Sequence, residues 1–198
     1  MQAIRIIKDE HRAVGAVLHG MGYMLREIRQ RGVEPRFDVL GAMVYYLDIF
    51  SERLHHPRES EYLFRFLRLR CKAAVPFLDQ LEEEHRAGAG CLRAMKQALA
   101  RYQQAGSAEF AAFEAVVESF VNFEYEHMRR EERHVLPMAE HHLLPEDWEV
   151  IDAAYTNGTV PSFSPQTAAN FENLFDRIVQ LAPSPIGVGP PSDPLARS

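Results

Sequence analysis

Six histidine and glutamate side chains occupy positions where a helical pattern predicts apolar residues. They are His11, His55, Glu59, His85, His127 and Glu131. A carboxylate on the buried face of a helix is unfavourable unless it is paired or bound to a metal ion. His55 and Glu59 are four residues apart, as are His127 and Glu131, so each pair projects from one helix face. These residue types at this spacing predict a buried metal site.

The six residues belong to an internal repeat. D-E-H-R-A at residues 9–13 returns as E-E-H-R-A at residues 83–87, and H-x-x-R-E at residues 55–59 returns at residues 127–131. Two copies supply four imidazoles and two carboxylates, a ligand set for two metal ions with both glutamates bridging and positions left open. Mixed nitrogen and oxygen ligands favour non-haem iron over magnesium or calcium. A lone histidine in such a stripe is more often a hydrogen-bonded core residue, so the prediction depends on the complete set.

Further polar residues near these positions have alternative interpretations. His56 is either an outer partner of the site or a replacement for His55 if Pro57 distorts the helix. His134, seven residues after His127, is a second candidate for an outer partner. The acidic run at residues 82–84 is interpreted as a solvated face. The expected surface histidines are His19, His141 and His142.

Apolar residues at alternating spacings of three and four predict four long helices. In the second helix this buried face runs past Glu59 to Tyr62 and Phe66. In the fourth it runs past Glu131 to His134 and Met138. Short connections between long helices predict an all-α, up-down antiparallel four-helix bundle over residues 1–142. A helical extension is expected over residues 143–182 and a disordered, proline-rich tail over residues 183–198.

Composition excludes several classes of function. The chain has 198 residues, of which 46% are hydrophobic and 25% charged, and a net charge of −6. An acidic chain without a basic block is a poor ligand for nucleic acid. The sequence contains neither a recognisable signal peptide nor a membrane-spanning stretch. Two cysteines without a C-x-x-C motif are typical of a reducing compartment, so we expect a cytoplasmic protein without a membrane partner.

With these motifs in view, residues 1–142 resemble the haemerythrin family in its H-H-E cation-binding branch. The resembling segments are D-E-H-R at 9–12, H-H-P-R-E-S-E-Y-L-F at 55–64, E-E-H-R at 83–86 and E-H-M-R-R-E-E-R-H-V-L-P at 126–137. The resemblance implies that the six residues named above hold two iron ions in an oxo- or hydroxo-bridged centre. Zinc or another divalent metal is an alternative occupant in purified protein.

The resemblance implies several functions. Family members bind or sense oxygen, handle nitric oxide or peroxide, or supply iron for iron–sulfur cluster repair. We expect a binding protein for a small diatomic ligand or peroxide, with a di-iron reductase, an iron donor and a structural bundle as alternatives. Oxygen carriers of the family have a further histidine one turn after the third-helix ligand, where this chain has Ala89. We therefore expect two histidines on each metal, and scavenging, sensing or redox chemistry in preference to oxygen carriage.

The C-terminal extension offers an apolar face of its own. The residues concerned are Phe171, Leu174, Phe175 and Ile178. They are expected to cover either this bundle or a second copy of it, so a homodimer is a further hypothesis.

Overall fold

The computed structural model describes residues 1–156 and 165–189, which form an all-α protein without a β-strand in those ranges. Three uninterrupted stretches are α1 (Gln2–Arg31), α5 (Val75–Ala105) and α6 (Phe110–Arg130). Gly32 directly follows α1 and Gly106 directly follows α5, both with a positive φ that glycine adopts without strain. Short 3₁₀ turns at Lys72–Ala74 and Gly106–Glu109 precede α5 and α6.

The second long segment alternates between α-helical and π-helical turns. It consists of α2 (Phe37–Phe50), a π-helix (Ser51–His55), α3 (His56–Arg58), a second π-helix (Glu59–Phe64) and α4 (Arg65–Arg70). The N–H of His56 donates to the carbonyl of Ser51, five residues back. Pro57 follows directly, and because its ring crowds the preceding turn and it lacks an N–H, a wider turn accommodates it. The distortion predicted at this proline is therefore a π-helical turn.

The fourth segment also contains a π-helix just before a proline. α6 leads into a π-helix (Glu131–Val135) and then into α7 (Leu136–His142). The N–H of Leu136 donates to the carbonyl of Glu131, again five residues back and again just before a proline, Pro137. Both glutamates of the predicted site thus stand at the first position of a π-helix.

Each of these π-helices moves the buried face by one residue, because an extra residue enters the turn. The predicted faces beyond Glu59 and Glu131 are wrong for this reason. Leu63, Leu67, Val135 and Ala139 are fully buried. The predicted Tyr62, Phe66 and Met138 are only half-buried against core B, and His134 is exposed.

Two apolar cores lie on either side of a polar layer. Core A contains buried residues from 14–25, 39–54, 92–102 and 113–128, and core B contains buried residues from 3–7, 63–81 and 135–155. Along the chain, the first long segment passes from core B to core A, the second returns to core B, and the third and fourth repeat this alternation. The predicted site residues fall at the crossing point in every segment.

The predicted C-terminal helices are present as α8 (Pro145–Thr156) and α9 (Pro165–Leu181). α8 packs on α1, and Trp148, Ile151 and Tyr155 join core B. Asp152 on α8 accepts a hydrogen bond from the N–H of Ala3 at 2.8 Å. α8 therefore closes the core B end of the molecule.

α9 packs on α2 at the core A end. Ile178 is buried in core A, and Leu174 and Phe175 are half-buried against it, whereas the Phe171 side chain lies outside the described residues. Residues 183–189, expected as the beginning of a disordered tail, turn back on α9, with the N–H of Val188 donating to the carbonyl of Val179 at 2.9 Å. The rest of that predicted tail, residues 190–198, lies outside the described part.

Within the described ranges, no helix combines the length and apolar character needed to cross a bilayer.

Candidate metal centre

The six residues predicted as metal ligands converge between the two cores, and every one of them is buried. Nε2 of His55 lies 3.3 Å from Glu59 Oε1, and Nε2 of His127 lies 3.3 Å from Glu131 Oε1. His11 and His85 are the lone histidines of the two repeats, since neither belongs to an H-x-x-x-E pair. His11 Nε2 is 3.1 Å from Glu131 Oε2, and His85 Nε2 is 3.6 Å from Glu59 Oε2. The structure thus brings the whole predicted set together.

The site residues fall into two groups that could each hold a cation. One group is His11, His55, Glu59 and Glu131; the other is Glu59, His85, His127 and Glu131. Within each group, the ligand atoms lie within 4.8 Å of one another. The groups share both glutamates and divide the four histidines by repeat.

Eight polar atoms of this site have no hydrogen-bond partner. They are Nε2 of the four histidines and both carboxylate oxygens of Glu59 and Glu131. These atoms approach one another within ion-pair range without forming a hydrogen bond of acceptable geometry. Because a buried polar atom without a partner is destabilising, eight such atoms directed at one another indicate a site built for cations.

A second layer of side chains orients two of the histidines. Nδ1 of His55 lies 2.8 Å from Glu10 Oε2, and Nδ1 of His127 lies 3.0 Å from Glu84 Oε2. Arg58 is ion-paired with Glu10, and its guanidinium also lies 4.7 Å from the centre of the Tyr155 ring on α8. Such partners fix the ring so that Nε2 faces inward and strengthen it as a ligand.

The same relationship recurs in both halves of the molecule. Arg130, the repeat counterpart of Arg58, lies 2.8 Å from Glu84 Oε1. Glu10 and Glu84 each directly precede the lone histidine of their repeat, but each binds the other histidine of that repeat. The interpretation of residues 82–84 as a solvated face is therefore wrong for Glu84, whose side chain is only 12% exposed.

Each lone histidine is oriented by a residue of the other repeat. The two partners differ in type, so the two halves of the site are not equivalent here. Nδ1 of His11 lies 2.8 Å from Glu132 Oε1, and Nδ1 of His85 lies 3.3 Å from the hydroxyl of Ser60. Glu132 and Ser60 each directly follow a site glutamate. Three of the four histidines thus face a carboxylate at Nδ1, whereas His85 faces a neutral hydroxyl.

A fifth histidine, His56, enters the site. Its side chain is 6% exposed, and one of its ring nitrogens lies within 4.8 Å of ligand atoms of His85 and His127. His55 stays in the site, so His56 is an addition and not a replacement. His134 is exposed and stacks on Phe77, with ring centres 4.9 Å apart, so it is not an outer partner of His127.

Two further carboxylates, which sequence reasoning missed, lie close to Gly88. Glu52 and Glu124 precede His55 and His127 by three residues each, which extends the repeat to E-x-x-H-x-x-x-E. A Cβ atom at Gly88 would lie 3.1 Å from Glu52 Oε1 and 3.9 Å from Glu124 Oε1. Burial raises the pKa of both carboxyl groups to about 7.

The carboxylates of the site favour a positive charge at His11. Burial lowers the pKa of His11, but the carboxylates of Glu131 and Glu132 overcome this effect and raise it to about 10. Burial also raises the pKa of Glu59 well above its ordinary value, and the neighbouring charge of Glu131 adds to that shift. Two adjacent buried carboxylates repel each other unless a cation lies between them, so a metal ion would compete effectively with protons here.

A cavity of about 500 Å³ opens beside the site between α1 and α6. Its walls include His11, Gly15, Tyr125, Met128 and Glu132. The hydroxyl of Tyr125 donates to the carbonyl of Gly15 at 3.1 Å across this cavity. It therefore provides a path by which a small molecule could reach the outer edge of the His11 ring.

The fold and site together define an all-α protein with a buried histidine–glutamate cation-binding site. The family model of the hemerythrin HHE cation-binding domain matches residues 2–139, and the chain belongs to that family. No curated protein and no solved structure gives a significant match. The family model covers the first three long segments, the fourth as far as residue 139, and every predicted ligand.

Proposed function

We propose that the protein is a non-haem di-iron protein. His11 and His55 would bind one iron ion, His85 and His127 would bind the other, and Glu59 and Glu131 would bridge them. The observation that carries this proposal is the set of eight buried atoms without partners, since they supply nitrogen and oxygen ligands in two groups that share both carboxylates. Membership of the cation-binding family is independent support.

The scaffold of the site is, in this proposal, an up-down antiparallel four-helix bundle. The alternating passage of the four long segments between core A and core B supports it, because consecutive segments must then run in opposite directions. In such a bundle, facing helices present their side chains to a common interior level. The four crossing points would then coincide at the metals.

We further propose that the centre binds or reacts with oxygen, nitric oxide or peroxide in the cytoplasm, as a scavenger, store or sensor. Iron would supply the redox chemistry and the open coordination positions. The chain would supply fixed imidazoles, through Glu10, Glu84 and Glu132, and a dry surrounding of two apolar cores. Gly15 and Ala89, each four residues after a site histidine, add no ligand, which favours reaction over reversible oxygen carriage.

Metal analysis of the purified protein tests the first part of this proposal. Two iron ions per chain are expected, and a single equivalent would contradict the assignment of two groups. The reduced iron protein is then mixed rapidly with oxygen. The spectral change is expected to persist after deoxygenation. Full reversal would instead indicate reversible oxygen carriage. Continuous turnover of nitric oxide or peroxide would instead identify a reductase, and transfer of iron to an acceptor protein would identify a donor.

A further inference from the structure

We propose that His56 is a fifth imidazole ligand, bound to the metal that His85 and His127 hold, so that the two metals are chemically different. This inference rests on the proposed di-metal function and deepens it. It replaces the expectation of two histidines on each metal with a division of two and three.

The placement of His56 is the first argument. His56, His85 and His127 form a group whose ring nitrogens lie within 4.8 Å of one another, which no hydrogen bond explains. Nδ1 of His56 is buried without a hydrogen-bond partner, and the nearest carboxylate oxygen, Glu52 Oε1, is 3.6 Å away. A buried imidazole that has an unpartnered nitrogen and lies beside two other imidazoles is costly unless it binds a cation.

The backbone explains how two consecutive histidines face one site. Adjacent side chains on an α-helix diverge by about 100°, so His55 and His56 would ordinarily lie on different faces. The π-helix at Ser51–His55 places more residues in the turn and so reduces this divergence. Pro57 favours the wider turn. The two histidines that precede it, His55 and His56, are therefore both directed into the site.

The His56 ring packs against rings of the site. It stacks on the His85 ring with centres 4.0 Å apart and an angle of 9° between the planes. The His127 ring meets it edge-on at 5.3 Å. The two nearer histidine rings thus belong to the second metal group, whereas the His55 ring of the first group lies 5.7 Å away. An imidazole binds a metal in its own ring plane, so the His56 ring must turn out of its stack on His85 for both rings to bind one ion.

The repeat shows that His56 is the point of difference between the halves. The position 72 residues further on, equivalent to His56, is Met128, which lines the cavity beside His11. The second group also contains His85, whose Nδ1 faces only Ser60. Since a carboxylate partner strengthens an imidazole ligand and a hydroxyl does so less, a third imidazole compensates the second metal.

The central variant is His56→Met, which installs the residue that the other repeat uses at the equivalent position. His134→Met is the matched control, because His134 is an exposed histidine outside both metal groups. Both proteins and the wild type are loaded with ⁵⁷Fe and compared by Mössbauer spectroscopy and by competition with a chelator. Circular dichroism reports whether each variant is folded.

The wild type is expected to show two iron environments of equal area. In His56→Met, one environment changes, and one of the two irons is lost to the chelator at about 10-fold lower chelator concentration, by analogy with other disturbed metal sites. The control keeps the wild-type behaviour. Two irons with the same spectrum and affinity in wild type and His56→Met would overturn the inference while leaving the di-iron function intact. A wild type that holds fewer than two irons would instead contradict the proposed function itself.

A second variant keeps the inference falsifiable if His56→Met does not fold. His56→Ala is prepared in the presence of imidazole, which can occupy the space left by the side chain. Recovery of the second iron environment when imidazole is added, and its loss on dialysis, is expected. A variant that holds both irons with wild-type spectra without imidazole would overturn the inference.

Discussion

Glu84 lies 3.0 Å from Nδ1 of His127 and thereby fixes which nitrogen of that ring faces the metal groups. Arg130 neutralises the same carboxylate from the other side, at 2.8 Å. The arrangement repeats in Arg58, Glu10 and His55. A carboxylate held in this way raises the basicity of the imidazole and preserves its tautomer.

Replacing Glu84 by glutamine should therefore weaken metal binding without removing a ligand. We expect Glu84→Gln to lower the affinity for the metal held by His127 by about 10–100-fold. Glu83→Gln is the matched control, since Glu83 is exposed and pairs only with Arg86 in the described residues. Titration of both variants with Zn²⁺ against a competing chelator gives the measurement. Equal affinities in the two variants would contradict the orienting role of Glu84.

Removal of a bridging carboxylate should have a larger effect. We expect Glu59→Ala or Glu131→Ala to lose at least one metal ion, because each glutamate belongs to both metal groups. Metal content per folded chain is measured after reconstitution and gel filtration. Glu61→Ala is the control and should retain two ions, because Glu61 is exposed although it is only two residues from Glu59. Retention of two ions in both ligand variants would show that the bridging assignment is wrong.

The fold and the six central residues were accessible from the sequence because their signals are local or repeated. Helical periodicity placed each residue on a face, and the repeat matched one half of the site to the other. The same periodicity failed beyond Glu59 and Glu131, where a fixed spacing cannot anticipate the extra residue of a π-helix. The prolines at 57 and 137 were the available signal for a π-helix. Each directly follows a residue whose N–H donates to a carbonyl five positions back.

The orienting residues were harder to identify. Glu84 and Glu83 stand in one acidic run, yet one faces His127 and the other faces solvent. This difference depends on how α5 packs against α6, which one sequence does not report. The position of Glu10 before His11 and of Glu84 before His85 was a usable signal, because the repeat retains an acidic residue there.

The ion pair between Arg70 and Asp147 should make stability depend on pH. Arg70 Nε and a second guanidinium nitrogen lie 2.8 and 2.9 Å from the Asp147 carboxylate, which also accepts from the N–H of Leu144. The guanidinium lowers the pKa of Asp147 below its unfolded value. Because the folded pKa is the lower one, this contribution is complete above the unfolded pKa of about 3.9 and disappears as pH falls through the folded pKa.

We therefore expect Asp147→Asn to lower the unfolding midpoint at pH 7 and to differ less from the wild type in strong acid. Urea unfolding at a series of pH values measures the difference between the two proteins, so that acid effects common to both cancel. Glu149→Gln, an exposed substitution on the same helix, is the control and should follow the wild type. A difference that stays constant down to the lowest pH would show that the charge of Asp147 does not contribute.

The cavity beside His11 should set the rate at which small molecules reach the proposed iron ions. A Cβ atom at Gly15 would meet Tyr125 at 3.8 Å, an ordinary contact, so a leucine fits there only by filling the cavity. We expect Gly15→Leu to slow the reaction of the reduced iron protein with oxygen or nitric oxide while the metal content stays at the wild-type level. Rapid mixing gives the rate constant, and metal analysis of the same sample confirms loading.

Gly22→Leu separates a blocked path from a general effect on α1. Gly22 lies on the same helix and lines a different cavity, of about 340 Å³, whose walls include Leu25, Arg26 and Val117 and no residue of the metal groups. Both substitutions replace glycine within a helix, which favours helix formation by a similar amount, about 0.8–1.0 kcal/mol. The control should therefore react at the wild-type rate. Equal rates in the wild type and Gly15→Leu would show that ligands enter elsewhere, and equal slowing in both variants would attribute the effect to the stiffness of α1.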